Sequence, residues 1–76
     1  MTRAEKLERL QEIFRDVLDQ PALRLSEEFS TSDCPEWDSV ATVQIVLATE
    51  ADFGIRVPMD TVAHLRRVGE LLDLLP

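Results

Sequence analysis

Apolar residues at the start of the chain recur at three- and four-residue steps: Leu7, Leu10, Phe14, Val17 and Leu18. Glu5, Lys6, Glu8, Arg9, Glu12 and Arg15 fill the other faces. That spacing draws one apolar stripe along a helix. It predicts a helix over 3–19, capped by Thr2 and ended by Gln20-Pro21, because proline disfavours α geometry in the residue before it. Residues 20–38 (QPALRLSEEFSTSDCPEWD) keep no period and include two prolines. They predict a long connection anchored in the core by Leu23, Leu25, Phe29 and Trp37. Loops of this length are usually functional.

The period returns over 39–53, SVATVQIVLATEADF. A helix here puts Thr42, Val46, Thr49 and Phe53 on its inward face and Val43 and Ile45 on the flanks. Gln44, Ala48 and Ala51 fall opposite. Gly54 is placed to end it in a left-handed conformation. Ile55 and Val57 then point the same way along an extended piece. A short helix over 59–65 turns Val62 and Leu65 inward, and an amphipathic helix over 68–75 carries Val68, Leu71, Leu72 and Leu75. No segment calls for a sheet. The expected fold is all-α: a bundle of three main helices and one short one, with a long loop between the first and second.

Composition narrows the function. Seventy-six residues, 45% apolar and 30% charged, make an ordinary globular mixture. They are expected to form one domain over 1–76, acting as a monomer. A chain so short buries only about 60% of its unfolded surface, which disfavours an enzyme with an enclosed pocket. One Cys and one His supply neither an internal disulfide nor a four-ligand Cys/His zinc site, so no metal is expected. No apolar run approaches the roughly 18 residues of a membrane span, and the amphipathic start is unlike a secretory signal. A cytoplasmic protein without membrane insertion is expected.

Fifteen acids against eight bases give −7. The excess is uneven: residues 26–38 hold Glu27, Glu28, Asp33, Glu36 and Asp38 and no base. An acidic chain repels a phosphate backbone, so no nucleic-acid partner is expected. A protein partner with a basic patch suits this loop, although acidity also serves solubility.

The candidate chemistry centres on Ser39, which follows Pro35-Glu36-Trp37-Asp38 at the start of the second helix. Its plain reading is a capping residue, since Asp and Ser are both preferred there. Its functional reading is an attachment point for a phosphorylated group, which the free N–H groups and the positive end of the helix would stabilise. A self-contained nucleophile needs a base, and the chain offers only His64, with no G-x-S-x-G elbow. Cys34 lies among carboxylates, which oppose thiolate formation. His64 reads as a surface residue and Trp37 as packing where the loop meets the helix. No catalytic residue is assigned.

Glu36-Trp37-Asp38-Ser39-Val40, Thr42-Val43-Gln44-Ile45-Val46, Phe53-Gly54-Ile55, Val57-Pro58 and Val68-Gly69-Glu70-Leu71-Leu72 together resemble an acyl carrier protein. The family's signature is Asp-Ser-Leu opening the second helix, and here it reads Asp38-Ser39-Val40. The resemblance implies a four-helix carrier whose Ser39, beside Asp38, is esterified with 4′-phosphopantetheine from coenzyme A by a separate phosphopantetheinyl transferase. The arm would carry acyl groups as thioesters between loading ligases or synthases of lipid, polyketide or related biosynthesis.

The chain departs from the family pattern in four places. Ala41 and Gln44 stand where the family often has partner-reading acids, leaving Glu50 and Asp52 further along. Val40, Gln44, Leu47 and Ala51 therefore form an expected docking stripe, assisted by Glu36 and Asp38. Thr49 replaces a leucine that commonly lines the acyl pocket, which points to a short or polar cargo. Arg67 replaces a capping Ser or Thr, so the last helix is expected to begin weakly. Asp38-Ser39-Val40-Ala41-Thr42-Val43 and Ile55-Arg56-Val57-Pro58 are also similar to D-alanyl carrier proteins. An aminoacyl or peptidyl carrier loaded by an adenylating ligase is the alternative. An unmodified helical adaptor is the alternative of another class.

Overall fold

Four helices, α1 (Arg3–Val17), α2 (Ser39–Phe53), α3 (Met59–His64) and α4 (Val68–Leu72), make up the computed structural model, which describes residues 1–76. A single 3₁₀ turn, Thr31–Asp33, interrupts the loop between α1 and α2. Two helices are long and two are short, rather than three long and one short. No helix is long and apolar enough to cross a membrane.

α1 starts as expected. The Thr2 hydroxyl accepts the Glu5 N–H at 3.2 Å while the Glu5 carboxylate accepts the Thr2 N–H at 2.8 Å, a reciprocal capping box. Leu10 and Phe14 on its apolar stripe are fully buried. The helix ends at Val17, two residues before the predicted boundary, and Pro21 is not the cause. Asp19 takes a left-handed conformation at φ 55. The Gln20 N–H then bonds the Arg15 carbonyl at 3.0 Å and the Asp19 N–H reaches the Asp16 carbonyl at 3.4 Å. This Schellman-type closure satisfies the last carbonyls without a glycine, since Asp tolerates that region.

α2 begins and ends where predicted, with Gly54 at φ 67. Its buried face is rotated from the expected one. Ala41, Thr42, Ile45, Val46 and Thr49 are buried, whereas Val43, assigned to a flank, is 39% exposed. The rows 41–45 and 42–46–49 are adjacent on a helix, so the core sees both and Val43 turns away. Trp37 closes the head of this face. Its ring stacks on Phe29 with centroids 5.8 Å apart and meets Phe14 edge-on at 5.0 Å. Leu25 is buried too, Leu23 and Phe29 are half-buried, and Cys34 joins the core beside them.

The loop is not structureless. Besides its 3₁₀ turn, Thr31 donates its N–H to the Arg66 carbonyl at 2.9 Å. Its carbonyls also correct the expectation of a weak start to α4. Phe29 and Glu27 each accept an N–H, from Val68 and Gly69, at 2.9 Å. The Glu70 carboxylate takes the Arg66 and Arg67 N–H groups at 2.9 and 3.1 Å. A guanidinium has no acceptor, so Arg67 cannot cap, and the loop backbone does the work instead. Gly69 permits this approach: a Cβ there would stand 3.3 Å from the Glu27 carbonyl oxygen.

α4 stops at Leu72 rather than 75. Leu74 and Leu75 continue as tighter turns onto Leu71 and Leu72, and Leu75 still reaches the core. Arg3 ties the two ends together, bonding Glu27 at 2.8 and 2.9 Å and Asp73 at 3.0 Å.

Candidate functional site

The head of α2 is built by Asp38. Its Oδ1 accepts the Ala41 N–H at 2.9 Å, which makes it the N-cap. Its carbonyl accepts both the Thr42 N–H and the Thr42 hydroxyl at 2.9 Å. The Thr42 oxygen in turn accepts the indole N–H of buried Trp37 at 2.9 Å. Loop, cap and first turn are thereby locked into one unit. The capping duty that the sequence allowed to Ser39 falls to Asp38. Ser39 stands one residue further on, at the first helical position, and is exposed.

A cleft of about 430 Å³ opens beside Ser39, between α2 and α3. Trp37, Thr42, Val43, Met59, Val62 and Arg66 line it, with Asp38 at the rim. Met59, Val62 and Arg66 were not assigned to the site from the sequence. Their one signal was position: Met59 and Val62 follow Pro58 on α3, and Arg66 lies just beyond the end of that helix.

Neither the candidate base His64 nor Cys34 lines this cleft. His64 is exposed and its Nδ1 lies 2.6 Å from the Asp60 carbonyl oxygen. Cys34 is buried, and its thiol donates to Glu36 Oε1 at 3.3 Å. An exposed primary hydroxyl without a base does not act alone, but it is open to another enzyme. An anion attached there would lie at the positive end of a 15-residue helix. The donor set fits a phosphoester.

The expected docking stripe lies on one exposed face of α2: Val40 at 64%, Leu47 at 59%, with exposed Gln44 and Ala51. Glu36 is exposed but engaged, since its Oε1 also accepts from Gln20 Nε2 at 3.0 Å. The two remaining acids of α2 are engaged as well. Glu50 Oε2 accepts the Val57 N–H at 2.6 Å. Asp52 takes both arms of the Arg9 guanidinium, one of them at 3.0 Å, and this bonding raises the Arg9 pKa. Thr49 is fully buried, and its hydroxyl returns to the Ile45 carbonyl at 2.7 Å.

A family model described as a phosphopantetheine attachment site matches residues 8–75. The acyl carrier protein of Acidothermus cellulolyticus is 36% identical over 73 residues, covering 96% of this chain and 87% of that protein. The acyl carrier protein of Caulobacter vibrioides is 32% identical over 91% of this chain and 88% of its own length. Among solved structures, the acyl carrier protein of Thermotoga maritima superposes with a TM-score of 0.82 at 21% identity. That match covers 95% of this chain and 84% of the other. The holo acyl carrier protein of Geobacter metallireducens gives 0.79 at 32% identity, over 90% and 78%.

Proposed function

The chain belongs to the acyl carrier protein family, and from that premise we propose that Ser39 is the residue that carries its 4′-phosphopantetheine. As a member of that family it is a phosphopantetheine-bearing carrier and not an enzyme. Its dealings are with a modifying transferase and with biosynthetic enzymes that load and unload it. The arm supplies a thiol that holds cargo as a thioester. What the chain supplies is the hydroxyl, its presentation and a surface for partners.

One observation carries the assignment of Ser39. Asp38 takes the N-cap, so the serine hydroxyl is left exposed at the first helical position, on the edge of a cleft. Ser26, Ser30 and Ser32 lie in the loop and open no α-helix. The experiment is labelling from coenzyme A by a phosphopantetheinyl transferase, read by intact mass. The parent gains one arm and Ser39→Ala gains none. Label on Ser39→Ala sinks the assignment.

The docking surface is the stripe Val40, Gln44, Leu47 and Ala51, with Asp38 and Glu36 at its head. Its contact with partners is mainly apolar, because Glu50 and Asp52 are engaged within the chain. The cargo is short or polar, and the smaller apolar lining that Thr49 gives the inner wall, its hydroxyl returned to the Ile45 carbonyl, supports that reading. An aminoacyl group fits the same description. Incubating the modified protein with adenylating ligases and weighing the product separates it from a simple acyl group.

A further inference from the structure

Arg66 is the one cation lining the cleft beside Ser39. Its Nη1 is held by the Ala63 carbonyl at 3.0 Å and the Leu65 carbonyl at 2.8 Å. Those two bonds fix the guanidinium against the end of α3, and its backbone carbonyl is fixed in turn by the Thr31 N–H. Nε and Nη2 make no bond within the chain, and Arg66 joins none of its ion pairs. Arg3 and Arg9 pair with acids of the chain, Arg3 with Glu27 and Asp73 and Arg9 with Asp52, whereas Arg66 lines the cleft without such a partner. Arg66 is held in place with donors unspent, facing a cleft.

The electrostatics say what those donors suit. Residues 26–38, which lead to Ser39, hold five acids and no base, and Asp38 stands next to the attachment point. A phosphodiester on Ser39 adds a further negative charge to a surface that already repels it. The α2 dipole offsets part of this, but Asp38 occupies the Ala41 N–H of that helix end. A guanidinium presents a planar fork that matches phosphate oxygens, and such charge-assisted bonds are the strong ones.

We propose that Arg66 pairs with the phosphodiester of the arm on Ser39 and holds the arm's first segment across the cleft, over Met59 and Val62. Arg66 is thus a positioning residue for the arm. The proposal rests on Ser39 as the attachment site.

The test uses the full chain, before and after modification, at low and high salt. The ³¹P resonance of the folded modified parent should be displaced from that of the same phosphodiester in the modified parent unfolded in urea. The Arg66 Nε–H resonance should shift between the unmodified and modified forms, a comparison that needs no variant. Both displacements should shrink as salt rises. In modified Arg66→Gln the ³¹P resonance should return to the unfolded-state value, while Arg66→Lys keeps part of the displacement. Arg67→Gln, whose guanidinium lies over Gly69, should leave it unchanged. A modified parent with unmoved Arg66 and ³¹P resonances overturns the role of Arg66 alone. A parent that gains no arm mass on Ser39 overturns the underlying reading and this one with it.

Discussion

The indole N–H of Trp37 and the hydroxyl of Thr42 meet at 2.9 Å inside the head of α2, where both side chains are buried. That hydroxyl then donates to the Asp38 carbonyl, so each group is satisfied by its neighbour. Trp37 belongs to the loop, Asp38 to the cap and Thr42 to the helix. The pair joins the three pieces that present Ser39.

Thr42→Val keeps the shape and removes the acceptor. The buried indole donor is then left without a partner, which costs about 1–3 kcal/mol. At roughly 4–8 °C per kcal/mol for a domain of this size, the melting temperature should fall measurably. Thr42→Ser keeps the bond and should lose less. Thermal unfolding followed by tryptophan fluorescence checks both. Equal melting of the parent and Thr42→Val would show that the bond contributes nothing.

Acid should destabilise the protein through its capping and ion-paired carboxylates. Glu70 is held below its ordinary 4.5 chiefly by the Arg66 N–H, with the Arg67 N–H adding to it. Glu27 is held down by the Arg3 guanidinium, and Glu5 by the Thr2 N–H. A carboxyl whose folded value lies below its unfolded one stabilises above the unfolded value. That stabilisation is lost as pH falls through the folded value. The melting temperature should therefore hold steady near neutrality and decline below about pH 4.5. Glu70→Gln should melt lower at neutral pH and show a shallower acid decline. An acid limb as steep as the parent's would remove Glu70 from this account.

Much of this was legible in the sequence, for local reasons. Asp38 and Gly54 bracket α2 with strong cap chemistry, so its limits read directly. The Thr49 hydroxyl had one obvious acceptor, a turn earlier, and uses it. What escaped reading depends on contacts between distant residues. No local pattern reveals that Phe29 and Glu27 cap α4, because the bonds join backbone atoms some forty residues apart. The engagement of Asp52 by Arg9 is equally remote in sequence. Asp19 in a left-handed turn could have been suspected, since Asp tolerates it, but the nearby Pro21 offered a stronger and misleading stop signal. The cleft was invisible because it forms only where α3 comes to face α2.

Leu47→Glu tests the docking face. Leu47 is 59% exposed, so the change should alter stability by no more than about 0.5 kcal/mol. A carboxylate in an apolar contact is desolvated without a partner, so turnover by partner enzymes should fall several-fold, mainly through KM. Modification of Ser39 by a transferase is measured alongside to show which partners use this face. Unchanged kinetics with every partner would clear Leu47 of any docking role.

Cargo length is the last property to test, and the short-cargo proposal rests on the inner wall of α2. Thr49 is fully closed off between Val46 and Phe53, and its hydroxyl is committed to the Ile45 carbonyl. A chain threading past it meets less apolar surface than a leucine would give. The head of the same wall is filled by Trp37, stacked on Phe29 and wedged against Phe14. A long chain that enters at this head displaces that cluster, and each methylene it buries returns only about 0.8 kcal/mol. A short or polar group can stay in the cleft and leave the cluster intact. Loading a long saturated chain onto the modified protein should therefore raise its melting temperature little above that of the unloaded form. A large rise on loading the parent, with shifts in the methyl signals of Val46 and Leu71, would reveal a core that opens to long chains and would refute the short-cargo reading.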